Sequence, residues 1–226
     1  MPRDRAPVRH PRTRRLGAAA AGLRGRRARP AGGGAAALRG VGGARARAGD
    51  KSRLSFALNA LAGHHQESND LETAEPLFEE ALALAREIGD QDTIAIGLPN
   101  LARLLVETGC GERAQGLLRE GLAIAHAIGS ARGVQNVLDA AAGLAVLRGD
   151  WVRAARLFGT VEAQQEQMGL KRTPEDDAVL MRRIACAREE LGDASFAAEE
   201  AAGRALTYEA AVDDARLWLS EPRQAQ

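Results

Sequence analysis

Residues of one character return every forty positions along the middle of this chain. The run ALAREIGD at 83–90 is matched by AIAHAIGS at 123–130 and AQQEQMGL at 163–170. Ala74, Ala114 and Ala154 share that spacing, as do Leu77, Leu117 and Leu157. So do Phe78, Leu118 and Phe158, then Leu58, Leu98 and Leu138, and finally Ala62, Ala102 and Ala142. A repeat in several columns at once restricts the chain to units that cannot bury their apolar faces alone and must stack on copies of themselves.

Within each unit the apolar spacing is helical. Leu54, Leu58 and Leu61 fall at i, i+4 and i+7, the stripe of an amphipathic helix. Asp70 is placed to N-cap a second helix over 71–88, and Gly89 supplies the left-handed residue that ends it. The second unit predicts helices over 93–108 and up to Ile128, with a turn at Gly109-Cys110-Gly111 and a stop at Gly129. The third predicts helices over 133–148 and 151–168 around a turn at Gly149-Asp150. Aromatic residues make up only 3% of the chain, which suits helices in close contact and not a β-sandwich. The small columns at Ala62, Ala102 and Ala142, and at Ala74, Ala114 and Ala154, let paired helices approach. Phe78, Leu118 and Phe158 are then expected to fill the space between successive units.

Residues 1–50 follow another rule. They hold thirteen arginines, no lysine and only two acids, Asp4 and Asp50, so the rest of a chain with net charge +1 is acidic. This segment shows no apolar period and carries few large side chains, so a disordered tail is expected. Arg, Ala, Gly and Pro share GC-rich codons, which favours an inert or out-of-frame stretch. The alternatives are an arm that neutralises nucleic-acid phosphates and an Arg-rich targeting presequence.

The middle of the chain resembles the tetratricopeptide repeat (TPR). Leu58, Leu61-Ala62, Ala74, Phe78 and Ala81 fit that pattern in register, as do Leu98, Leu101-Ala102, Ala114, Leu118 and Gly121. The third unit departs from it at Ala141 and Val161, and Arg86, His126 and Glu166 stand where the family closes with Pro. The stretches RAARLFGTVEAQQEQMG (153–169) and EELGDASFAAEEAAGRALTYEAAVDDA (189–215) are similar to the C-terminal region of bacterial ATPase-type transcriptional regulators of the LuxR and antibiotic-regulatory kind, and of predicted ATPases. In that closing segment Thr207 is placed to N-cap the last helix. The resemblance implies a right-handed α-solenoid over 51–170, a helical cap over 171–220 and a short tail at 221–226. It also implies nucleotide- and DNA-binding domains outside the repeats, and repeats that sense an inducer or partner.

Enzymatic constellations are missing from the pattern. ARARAGDKS (44–52) approaches a phosphate-binding loop, but Asp50 stands between Gly49 and Lys51 and would repel the anion. His64 and His65 are adjacent and diverge on a helix, and His65 occupies a packing column with Leu105 and Ala145, so a half-buried structural histidine is expected. The acid pairs Glu79-Glu80, Glu189-Glu190 and Glu199-Glu200 are assigned to solvated helix faces. Cys110 and Cys186 form no metal or disulfide pattern, in keeping with a reducing cytoplasm. No apolar run reaches the length of a membrane span.

The first helices of stacked units line a concave surface. On the family's register its positions are Asn59, Pro99 and Asp139, then Gly63, Arg103 and Gly143, with Asn100 beside them. Amides and an arginine on such a surface can hold a partner's backbone and carboxylates. Pro99 removes a helix hydrogen bond and is expected to interrupt the surface in the second unit. The sequence therefore predicts an all-α, non-catalytic protein- or peptide-binding scaffold with no cofactor, acting through Asn59, Asn100, Arg103 and Asp139. It is read as the interaction portion of a cytoplasmic signal-transduction ATPase or transcriptional regulator; the alternative is a nucleic-acid binder acting through the Arg-rich tail.

Overall fold

A computed structural model describes residues 51–169 and 174–222, with side chains of 174–180 not described. The expectations for residues 1–50, tail and nucleic-acid arm alike, lie outside the described residues. Every regular element described is an α-helix: α1 (Lys51–Glu67), α2 (Leu71–Ile88), α3 (Gln91–Glu107), α4 (Gly111–Ala127), α5 (Ala131–Arg148), α6 (Trp151–Met168), α7 (Pro174–Leu191), α8 (Asp193–Arg204) and α9 (Tyr208–Ser220).

The helix ends follow from local chemistry. Asp70, Asp90, Ser130 and Asp150 each accept from the backbone N–H three residues on, satisfying a donor that the first turn leaves free. Gly89 closes α2 and Gly149 closes α5 in the left-handed conformation, at φ 70° and 69°, a backbone state with little cost only for glycine. Thr207 caps α9 by accepting from the Ala210 N–H at 3.3 Å. Pro99 lies inside α3 yet does not interrupt it. Its ring is buried and faces α4, where a Cβ on Gly121 would lie 3.7 Å from Pro99 Cδ. The placement of Pro99 on the concave register is therefore corrected: its ring packs against α4, and α3 continues through it.

Consecutive helices pack on one another from α1 to α6, and the first helices of the units also touch, α1 on α3 and α3 on α5. The repeating columns form the core. Ala62, Ala74, Ala102, Ala114 and Ala154 are wholly buried, and Phe78, Leu118 and Phe158 are buried in the same core.

The last three helices depart from this order. Helix α8 packs mainly on α6, and α9 returns to α4. Two glycines allow the α6–α8 contact: a Cβ on Gly159 would collide with the Glu200 carbonyl, and one on Gly203 with the Arg156 carbonyl. Thr160 on α6 donates to the Gly203 carbonyl at 3.1 Å. The Gln115 amide of α4 donates to the carbonyls of Leu219 and Glu221, at 2.8 and 2.9 Å. Trp218 donates to Asp150, and the guanidinium groups of Arg148 and Arg153 lie 5.6 and 5.8 Å from its ring centre. Arginines of α6 and acids of α8 and α9 complete the layer, as in Arg156–Glu199 and Arg153–Asp214. The assignment of Glu199-Glu200 to a solvated face is thus corrected. Both are half-buried, Glu199 paired with Arg156 and Glu200 with Arg188, because α8 lies against α6 instead of facing water.

Candidate functional site

Three residues singled out by the repeat register lie in one chain of hydrogen bonds across α1 and α3. Asn100 donates its amide to Asn59 Oδ1 at 3.3 Å, and Arg103 donates to Asn100 Oδ1 at 3.4 Å. All three are half-buried. Both contacts are long, so the amides keep capacity for other partners. The geometry has a simple origin. Asn100 and Arg103 are one turn apart on α3 and share a face, while Asn59 is brought beside them by the α1–α3 contact.

Asp139, the fourth residue, stands one unit along on α5 and is half-buried. It lies apart from that chain of hydrogen bonds, and its electrostatic neighbour is Arg183 of α7. Gly143, one turn beyond Asp139, is the place where Arg183 arrives. A Cβ on Gly143 would lie 2.9 Å from Arg183 Nη1, 3.0 Å from Cζ and 3.3 Å from Nη2. The planar guanidinium therefore rests face-on against the bare backbone of α5.

Glu107, at the end of α3, accepts from Gln66 of α1 at 3.0 Å. Much of this residue is open to solvent, but crowding of its carboxyl raises the pKa above the ordinary carboxylate value. That outweighs the opposing effects of Gln66, Arg183 and Arg103. Burial lowers the pKa of Arg183, while Asp139 and Glu107 act to raise it; Arg103 and Arg182 add to the lowering. A guanidinium remains charged under such shifts. The result is a polar strip with amides at one end and, at the other, an arginine within electrostatic reach of two acids.

The repeat pattern located Asn59, Asn100, Arg103, Asp139 and Gly143 because they stand at or beside register positions. It missed Gln66, Glu107 and Arg183. Arg183 had no signal in the sequence, since α7 reaches α5 only through the tertiary fold. A Cβ added to Gly63 would meet nothing within 4 Å, so the strip is open at that point of α1.

The remaining candidates have structural roles or stand apart from the strip. His65 is half-buried and its Nδ1 lies 2.9 Å from Asp70 Oδ2. That bond and one from Thr73 hold the Asp70 pKa below its ordinary value, the Thr73 bond first. Cys110 is exposed, and Cys186 is half-buried with its thiol pKa raised chiefly by burial. Among the described residues no group of three or more His, Cys, Asp or Glu is placed to hold a metal ion, and no helix is long and apolar enough to cross a membrane. In comparison with known proteins, no family model, no curated protein and no solved structure matches this chain.

Proposed function

We propose that this chain is a non-catalytic scaffold that binds a protein or peptide along the face shared by α1, α3 and α5. The reading is supported above all by the Asn59–Asn100–Arg103 chain, a half-buried run of amides and a guanidinium on adjacent first helices. Polar side chains in this state are partly desolvated and held in place, so they present hydrogen-bonding groups at reduced entropic cost. An extended peptide has an N–H and a C=O at every step, and amide side chains complement both.

In this reading the units stack as a right-handed solenoid of the tetratricopeptide type, and the strip lies along its concave side. The caps at Asp70, Asp90, Ser130 and Asp150 and the buried columns of alanine and aromatic residues favour it. The scaffold would serve as the interaction portion of a cytoplasmic signal-transduction ATPase or transcriptional regulator, whose nucleotide and DNA chemistry resides in other domains.

The test is retention of partners from native cell extract, followed by calorimetry on what is retained. Arg103→Glu is expected to weaken binding at least ~10-fold, because it removes a charge-assisted donor and adds a repelling acid. Arg119→Glu, the same reversal on an exposed position of α4, is expected to bind like wild type. Equal binding by wild type and both variants removes the strip from the account.

A further inference from the structure

The end of the strip on α5 is already filled, and by this chain itself. Arg183 is carried by α7, whose buried anchors among the described side chains are few: Ala187 is wholly buried, and Ile184 and Leu191 are partly so. Its guanidinium nevertheless reaches the backbone of α5 at Gly143, with Asp139 and Glu107 as the acids acting on it. Three observations fix what such a place accepts. The missing Cβ at Gly143 leaves a flat surface where a planar cation fits and a tetrahedral ammonium makes poorer contact. Two carboxylates supply opposite charge. The amides of Asn59 and Asn100 continue the strip toward α1 and can pair with peptide backbone on that side of a seated arginine.

We propose that Gly143, Asp139 and Glu107 form a guanidinium seat that Arg183 fills in cis, and that the partner of this face presents an arginine which takes the same seat. This deepens the scaffold reading and rests on it. Binding is then an exchange: the partner's guanidinium replaces that of Arg183, so the cost of burying a cation is already built into the fold. What the partner adds is backbone pairing along Asn59 and Asn100. Selectivity for arginine over lysine follows from the shape of the seat.

The experiment uses the full chain, isotope-labelled, and two small probes, N-acetyl-argininamide and N-acetyl-lysinamide. In Arg183→Ala the seat is vacated. The arginine probe is expected to shift the Gly143 and Asp139 amide resonances saturably at millimolar concentration, with the lysine probe at least tenfold weaker. Adding Asp139→Asn or Gly143→Ala to that variant is expected to abolish the shift, the first by removing charge and the second by filling the flat surface. Wild type, its seat filled, is expected to need at least tenfold more probe.

Cys186 gives an independent reading in wild type, since it lies one turn from Arg183 and is half-buried, while Cys110 is exposed. A peptide carrying three arginines is expected to raise the rate of Cys186 modification severalfold relative to Cys110. No saturable shift in folded Arg183→Ala, or equal response in wild type, overturns the proposal. If Arg183→Ala does not fold, an unchanged Cys186 rate in wild type overturns it instead. Loss of these responses while Arg103→Glu still weakens partner binding leaves the scaffold reading intact and removes only the seat.

Discussion

Gly159 of α6 and Gly203 of α8 allow two helices to cross with backbone against backbone. A side chain on Gly203 would strike the Arg156 carbonyl and approach the Thr160 amide at 3.0 Å. Neither neighbour is a flexible side-chain end that could move aside. These two glycines, on helices that are not consecutive in the chain, carry the return of the C-terminal layer onto the repeats.

Gly203→Ala is accordingly expected to destabilise the protein by about 1–3 kcal/mol or more, the scale of overpacking against an unyielding neighbour. Gly116→Ala is the matched control. Gly116 is an exposed interior position of α4 with nothing within 4 Å of an added Cβ. That change is expected to stabilise by about 0.5–1 kcal/mol through helix propensity. Urea unfolding of both variants checks the pair, and a neutral Gly203→Ala contradicts the crossing.

Phe78→Ala should cost about 3–5 kcal/mol, because the ring is 1% exposed and belongs to the packed core. Phe56→Ala should change stability by less than about 0.5 kcal/mol, since that ring is 66% exposed. The measurement is the same denaturant series. Similar losses for the two would place the repeat register in error.

Gln115→Ala should loosen the C-terminal helix before it affects the repeats. The Gln115 amide donates to two carbonyls at the end of α9 and accepts from Arg148 at 2.6 Å. Removing it leaves part-buried groups without partners, a loss of about 1–3 kcal/mol. Amide hydrogen exchange should speed up in α9, with little change in α2 and α3. Uniform acceleration throughout would mean that α9 is not a separately opening unit.

Asp90 predicts a pH dependence of known sign. Hydrogen bonds from Thr93 lower its folded pKa, the backbone N–H first. A carboxyl with a lowered folded pKa stabilises the fold fully above its unfolded value, about pH 4. That contribution is lost as pH falls through the folded value. Asp90→Asn keeps an acceptor at the cap but cannot titrate. Thermal melts should therefore show a shallower loss of stability below about pH 4 in Asp90→Asn than in wild type. Identical slopes would show that the cap carries no linked proton.

Local and periodic features are legible in the sequence. Asp70, Gly89, Gly149 and Thr207 act within a few residues of themselves, so their capping roles follow from residue type and position. The columns at Ala62, Phe78 and Leu98 are buried as their spacing predicts, since a repeat places equivalent side chains in equivalent surroundings. Pro99 defeats the same reasoning, because its residue type reports the lost hydrogen bond and not the burial of its ring against α4. Asn59 and Asn100 emerge from the register, but their bond to one another depends on how closely α1 meets α3.

The sequence by itself determined the helices of the repeated units to within about two residues at their ends, and their inward faces. These depend on interactions over three or four residues and on a forty-residue period that averages out local exceptions. Only the tertiary structure decided that α8 lies on α6, that α9 returns to α4, and that Arg183 rests on Gly143 within electrostatic reach of Asp139 and Glu107. Each of those contacts joins single residues far apart in the chain and outside the repeat. No periodicity marks such a pair; steric fit, a missing Cβ and opposite charge act only once the chain has brought the partners together.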